Sequence, residues 1–281
     1  MKTLFRMSVM LLLACSFQNC QDPAFESVES DVNVRAKSSK QTKLQKDKHV
    51  FTISHIAPVY TSPWDQFVTT VVGTGTIHVA WGDGTSENYD LGSGVYGVEL
   101  MRRYNSTGRY LIAITGDLKN ITRVSSSYGE GPFDDINLRP LTGLKVFGVS
   151  NISGPDVIDL SHNKNLEVLA LNDISELREI RLPKQHSLHS VSIAANTSLT
   201  AATVDALINS VYNTAVKKQI SWGFFQVTVD QMYDGTSNDM VGPPSGNSIS
   251  QLTELQNTYN WQVYPYMPSP VADNLLNPQI K

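Results

Sequence analysis

Cut into elevens, the stretch that decides the fold reads FDDINLRPLTG (133–143), LKVFGVSNISG (144–154), PDVIDLSHNKN (155–165), LEVLALNDISE (166–176), LREIRLPKQHS (177–187) and LHSVSIAANTS (188–198). Written as L-x-x-L-x-L, its apolar slots are Phe133/Ile136/Leu138, Leu144/Phe147/Val149, Pro155/Ile158/Leu160, Leu166/Leu169/Leu171, Leu177/Ile180/Leu182 and Leu188/Val191/Ile193. A strict short period marks a solenoid, because one unit cannot bury its apolar face alone and must stack on its neighbours. Two elevens make a coil of 22 residues, with alternate segments on opposite sides of a flattened stack. Pro155 and the degenerate turn at 174–187 depart from the pattern.

The x positions point outward, so they show what each side offers. One side presents Lys145, Val146 and Gly148, then Glu167, Val168 and Ala170, then His189, Ser190 and Ser192. The other presents Asp134, Asp135 and Asn137, then Asp156, Val157 and Asp159, then Arg178, Glu179 and Arg181. Residues 22 apart should lie on adjacent parallel strands about 4.8 Å apart. Two cross-strand ion pairs are therefore expected, Asp156 with Arg178 and Asp159 with Arg181. The expected binding surface is Lys145, Glu167, Val168, His189, Ser190 and Ser192, together with Trp222 farther on.

Before the repeats, from Val50 to Leu118, the pattern is of short β-rich runs bounded by turn residues, which predicts a small antiparallel sandwich. The candidate strands are 50–56, 66–72, 76–81, 86–91, 97–104 and 108–115. Gly82-Asp83-Gly84 is a tight-turn signal. With one carboxylate and Glu87 nearby it falls short of the oxygen ligands calcium takes, so Asp83 is read as stabilising the turn. Ile121-x-x-Val124 reads as an irregular first coil. After Leu199, Val204, Leu207, Ile208, Val211 and Tyr212 have the spacing of an amphipathic helix. A strand-like run at 219–229, a Gly/Pro/Asn-rich loop, a second helix at 248–259 and a last strand beginning at Asn260 follow. A solenoid needs its last apolar layer covered, and this segment is read as that cap. Alternation puts Trp222 and Phe224 on one face and Phe225 on the other; the sequence leaves open which are displayed.

At the N-terminus, Lys2 and Arg6 precede the apolar run Met7 to Ala14, which is too short to span a bilayer and reads as an export signal. Leu12-Leu13-Ala14-Cys15 resembles a bacterial lipobox, which implies cleavage before Cys15 and lipidation of its sulfur. A plain secretory signal or a Cys15–Cys20 disulfide are the alternatives; the chain has only these two cysteines. Residues 21–48 are polar, acidic first and then basic, and read as a tether with an end-to-end distance on the order of 30 Å. The formal charge of −4 shows no basic footprint for nucleic acid.

Two resemblances sharpen this reading. Trp81-Gly82-Asp83-Gly84-Thr85, followed by Tyr104-x-x-x-Gly108-x-Tyr110, resembles the W-G-D-G and Y-x-x-x-G-x-Y signatures of PKD-like immunoglobulin-type modules. It lacks their W-D-F phenylalanine and has Arg103 where a histidine precedes the tyrosine. Ile158-x-Leu160-x-x-Asn163 and Val191-x-Ile193-x-x-Asn196 carry the asparagine slot of leucine-rich repeats. Across residues 50 to 265 the chain resembles Bacteroidetes-type leucine-rich-repeat surface lipoproteins with such a module.

The organisation expected is a signal peptide (1–14), a tether (15–48), a PKD-like β-sandwich (49–118), a leucine-rich solenoid of 11-residue half-coils (119–199), a helix/strand C-terminal cap (200–265) and an irregular tail (266–281). The fold class is mainly β. No H-E-x-x-H, G-x-S-x-G, phosphate-loop or C-x-x-C spacing occurs. Neither enzyme chemistry, nor a cofactor, nor a metal site is expected. The expected function is protein interaction or adhesion, by a monomer held on the cell envelope or outer membrane through its lipid alone and binding an unidentified protein or glycan. Two alternatives are a carbohydrate-binding accessory lipoprotein of a polysaccharide-uptake system and a structural spacer without a ligand. The repeat x positions contain no Trp or Tyr, which weighs against the carbohydrate reading.

Overall fold

The computed structural model describes residues 49–57, 66–92, 96–126, 133–152, 154–194, 196, 198–227 and 244–264. The export signal, Cys15, the tether, most of the 234–247 loop and the 266–281 tail lie outside them. The chain is mainly β. Its strands are β1 (Phe51–Ala57), β2 (Phe67–Val72), β3 (Thr76–Ala80), β4 (Ser86–Asp90), β5 (Val98–Arg102), β6 (Gly108–Gly116), β7 (Arg123–Ser126), β8 (Phe133–Asn137), β9 (Val146–Ile152), β10 (Val157–Asp159), β11 (Val168–Ile174), β12 (Glu179–Arg181), β13 (Ser190–Ser192), β14 (Phe224–Gln226) and β15 (Gln262–Tyr264). Helix α1 (Ala201–Lys218) precedes β14, and α2 (Gly246–Tyr259) precedes β15.

Alternation sets the first sheet, ordered β4-β3-β6-β1-β8. Ile77 and Val79 on β3, with Ile112 and Ile114 on β6, are buried, and the residues that alternate with them are more exposed. Trp81 is buried where β3 ends, in edge contact with Phe67, and its carbonyl accepts the Tyr104 hydroxyl at 2.8 Å. In the turn to β4, Asp83 accepts the Thr85 amide at 3.0 Å and the Thr85 hydroxyl at 2.6 Å. Gly82 has φ +81, and a Cβ there would stand 2.7 Å from the Leu111 carbonyl, so both conformation and space require glycine.

The second sheet, ordered β15-β14-β13-β11-β9-β7-β2-β5, is parallel from β15 to β7 and antiparallel beyond it. Here the 22-residue step is realised: Val146 pairs with Val168, Phe147 with Leu169, and Val168 with Ser190. Behind it, β10 and β12 pair at the same step, with Asp159 beside Arg181. The leucine-like slots face inward: Leu144, Phe147, Leu166, Leu169, Leu171, Leu177, Leu188, Val191 and Ile193 are all fully buried. Val124 on β7 pairs in parallel with Phe147, so β7 extends this stack of strands by one.

Buried asparagines close the turns, satisfying backbone groups that water cannot reach. Asn163 donates to the carbonyls of Leu138 (3.0 Å) and Leu141 (2.7 Å). Asn196 donates to the Leu171 carbonyl (2.5 Å) and accepts the Ile174 amide (2.9 Å).

Three expectations are corrected. Segment 133–137 is joined by no strand ladder to β10 among the described residues; β8 pairs antiparallel with β1, Ile136 opposite Ile53. The edge of β1 offers a full row of backbone groups, and Asp134 forms an ion pair with Arg109 there. Pro155, just before the three-residue β10, has no N–H to offer a neighbouring strand. Second, Arg178 meets Asp156 through its backbone amide, which donates to the Asp156 carbonyl at 2.8 Å, and among the described residues no ion pair joins their side chains. Arg181 instead carries the charge pairing, 2.7 Å from Glu179 and 3.9 Å from Asp159. Third, of the strand expected at 219–229, the described residues form strand only at Phe224–Gln226, and its start is late because α1 runs on to Lys218 and Gln219 caps it in the left-handed region (φ 55); residues 228 and 229 lie outside the described residues.

Helix α1 buries Val204, Leu207, Ile208, Val211 and Ala215 over the last apolar layer. Its N-cap Thr200 accepts the Thr203 amide. Lys218 in its last turn donates to the His186 carbonyl at 2.7 Å, and α2 packs on it through Tyr212–Glu254 (2.7 Å) and Gln251–Asn209 (3.0 Å).

Candidate functional site

Side chains alternate across a strand, so one face of the second sheet lines the core and the other faces outward. The inner row Val71, Val124, Phe147, Leu169, Val191 and Phe225 is buried. One outer row crosses all eight strands as Glu99, Thr70, Ser125, Gly148, Ala170, Ser192, Gln226 and Tyr264. The row beside it runs Val72, Arg123, Val146, Val168, Ser190, Phe224 and Gln262. From Thr70 to Ser192 the first row holds no side chain larger than threonine, which leaves a shallow trough along the sheet. At Gly148 a Cβ would meet only ordinary contacts, the nearest at 3.8 Å, so that floor has room above it.

The trough ends in aromatic side chains. Phe224 and Tyr264 lie with ring centres 5.8 Å apart, and Tyr264 is 45% exposed. Trp222 stands just before β14 and is 81% exposed, whereas Trp81 (0%) and Trp261 (2%) are buried. Its backbone is left-handed at φ 65, with its amide donating to the Tyr259 carbonyl at 3.0 Å. For a bulky residue that conformation costs on the order of 1–3 kcal/mol, which the surrounding packing must offset. Beneath it Trp261 donates from its indole to the Ile220 carbonyl at 2.9 Å, and Gly223 lies flat on the Trp261 ring, where a Cβ would come within 2.3 Å. Trp222, Gly223, Phe224, Asn260, Trp261 and Gln262 together line a cleft of about 370 Å³.

The sequence-predicted surface residues fall on this face or its rim. Val168, Ser190 and Ser192 occupy the outer rows, half-buried. Lys145, Glu167 and His189 immediately precede β9, β11 and β13; Lys145 and Glu167 form an ion pair at 3.0 Å, and His189 is exposed. Trp222 is displayed, Phe224 is half-buried at its side, and Phe225 is core. Asp159 and Arg181 lie on the other sheet and Asp156 and Arg178 beside it, away from the trough. Sequence reasoning missed Gln226, Gln262, Tyr264, Thr70 and Ser125. The steps onto β14 and β15 are 34 and 38 residues, because a helix intervenes in each, so no period announces them. The alternation in Phe224-Phe225-Gln226 and Gln262-Val263-Tyr264 was the available signal.

Titratable groups near the turn and the cap are structural. Burial works against ionisation of Asp83, but hydrogen bonds from Thr85 and Arg102 outweigh it and bring the carboxyl down from 3.8 to about 2. Asp83 and Arg102 are bonded to each other, at 2.9 Å from the guanidinium Nε. Burial, with Lys218 close by, takes His186 from 6.5 down to about 4. Its ring lies 2.9 Å from the Ser210 hydroxyl, under α1. Among the described residues no three metal-ligating side chains cluster, and no helix is long and apolar enough to cross a membrane. What the outer face offers from β9 to β15 is shape, aromatic surface and uncharged hydrogen-bonding groups, with Glu99 and Arg123 charged at its β5–β7 end.

Comparison with known protein families, curated proteins and solved structures finds no match to this chain.

Proposed function

We propose that this chain is a non-catalytic recognition protein of the cell envelope. In this reading it is an exported lipoprotein anchored at Cys15 and tethered through 21–48, acting as a monomer. The first sheet with β2 and β5 corresponds to a PKD-like sandwich. The stacked coils correspond to a short leucine-rich solenoid, with α1, β14, α2 and β15 as its cap. The ligand is a macromolecule that lies along the outer face of the eight-stranded sheet.

One observation carries the reading: the outer row of small side chains continues from β2 to β13 and runs on to Gln226 and Tyr264, on the two strands whose other end holds a tryptophan left 81% in water. Folding buries large aromatic surface wherever it can, at roughly 25 cal/mol per Å². An indole kept exposed on a costly backbone therefore marks a contact surface better than a packing remnant. A spacer needs neither feature.

The test is binding by the purified full chain to a glycan array and to envelope and extracellular proteins, with Ala170→Arg set against the wild type. The half-buried outer position of Ala170 lets the arginine reach into the trough with the core untouched. Binding by the wild type that Ala170→Arg abolishes, at unchanged thermal stability, supports recognition along the face. Binding indifferent to Ala170→Arg, or no binding of either class, refutes it.

A further inference from the structure

Resting on that reading of the outer face, we propose that the cleft between β14 and β15 binds a ring of an uncharged saccharide, stacked on Trp222. Three observations converge. Trp222 presents its indole to solvent as part of the lining of an open cleft, and its amide is bonded to the Tyr259 carbonyl, which holds the residue at the cleft's edge. The cleft volume, about 370 Å³, is in the range that holds a small ligand group. None of the six residues lining it is charged, and its polar side chains are the amides of Asn260 and Gln262.

That combination selects a ligand chemistry. An aromatic face is electron-rich and attracts weakly positive C–H groups laid flat against it, as on one side of a pyranose ring. Hydroxyls radiating from the edge of such a ring need neutral partners that both donate and accept, and primary amides do both. A phosphate, carboxylate or ammonium group would enter without a counter-charge and lose its hydration. A peptide would dock differently, by adding a strand alongside β15, the last strand of the sheet among the described residues, and would make no use of the cleft. Beyond the first ring, Phe224, Tyr264 and Gln226 continue the aromatic and amide surface toward Ser190 and Ser192, in line with further sugar units.

The carbohydrate reading was weak in sequence because the repeats contain no outward Trp or Tyr. The structure supplies the aromatic side chains from outside the repeats, on the strands that close them.

The test uses the full chain, titrated with cellohexaose, xylohexaose, mannohexaose and maltohexaose, followed by tryptophan emission and calorimetry. At least one sugar should bind and shift the emission. Trp222→Ala should weaken that binding about tenfold or more, Trp222→Tyr should retain most of it, and circular dichroism and melting temperature should match the wild type in both. Silence with all four sugars, or binding unaffected by Trp222→Ala, overturns the proposal. Protein capture abolished by Ala170→Arg while the sugars stay silent overturns the saccharide site and leaves recognition by the face standing. Sugar binding that needs Trp222 but ignores Ala170→Arg upholds the site and overturns the extended face.

Discussion

Asn163 and Asn196 occupy the same slot of the repeat, are both fully buried, and should differ in what they contribute to stability. Asn196 accepts the single proton of the Ile174 amide at 2.9 Å and donates to the Leu171 carbonyl at 2.5 Å. Replacing it with alanine leaves a buried N–H without its acceptor, worth about 1–3 kcal/mol, and opens a small void. The expected loss is about 3 kcal/mol. Asn163 donates to the Leu138 and Leu141 carbonyls, but each of these also accepts a backbone amide, from Leu141 and Leu144 respectively, both at 3.1 Å. The Asn163 Oδ1 is itself buried with no partner among the described residues. Asn163→Ala therefore strips no carbonyl of its last bond and removes an orphaned acceptor, so its expected cost is about 1 kcal/mol. At about 2–4 °C per kcal/mol for a chain of this size, Asn196→Ala should lower the melting temperature by roughly 6–12 °C and Asn163→Ala by roughly 2–4 °C. Urea titrations of both variants should give the same order. Equal losses, or a larger loss at Asn163, would refute this account of the turns.

Three further outcomes are expected. His186 titrates near 6.5 when unfolded and at about 4 when folded, so its neutral form stabilises the protein fully above pH 6.5 and that stability is lost as pH falls to 4. The loss is about 3 kcal/mol, and His186→Gln should flatten the acid limb of stability measured by urea titration between pH 7 and 4.5. Gly223→Ala sets a Cβ against the Trp261 ring and should cost about 1–3 kcal/mol, with a change in tryptophan emission as the cleft is displaced. A double-mutant cycle on Asp159 and Arg181 should show no resolvable coupling in urea titrations, because Arg181 is solvated and shared with Glu179.

The repeat was legible because its signal is a period: Leu144, Leu166 and Leu188 fall 22 apart and stand just before the neighbouring parallel strands β9, β11 and β13, whose register fixes which residues lie side by side. The six candidate strands before Leu118 were legible for a similar reason, since alternation and turn residues bound each one. Partner choice was not legible. Phe133/Ile136/Leu138 fits the period as well as any unit, yet β8 joins β1, because an open strand edge some 80 residues upstream competes for it and no local pattern records that. The ion pair expected at Asp156 and Arg178 failed where a long side chain had a choice of partners, and register determines only which backbones are adjacent. Of the candidate site, the serine and valine positions were readable from the repeat. The aromatic end was only partly so, because Trp222 is singled out by a left-handed backbone and Tyr264 by a partner strand 38 residues away.

The most direct test of the central claim, recognition through the outer face of the eight-stranded sheet, is site-specific photo-crosslinking on intact cells producing the full chain. A benzophenone side chain placed at Ser192, at the end of the trough nearest the aromatic side chains, should capture ligand, and the same group at Asn88, on the edge strand β4 of the first sheet, should not. Capture from Asn88 alone, or equal capture from both positions, would contradict the account.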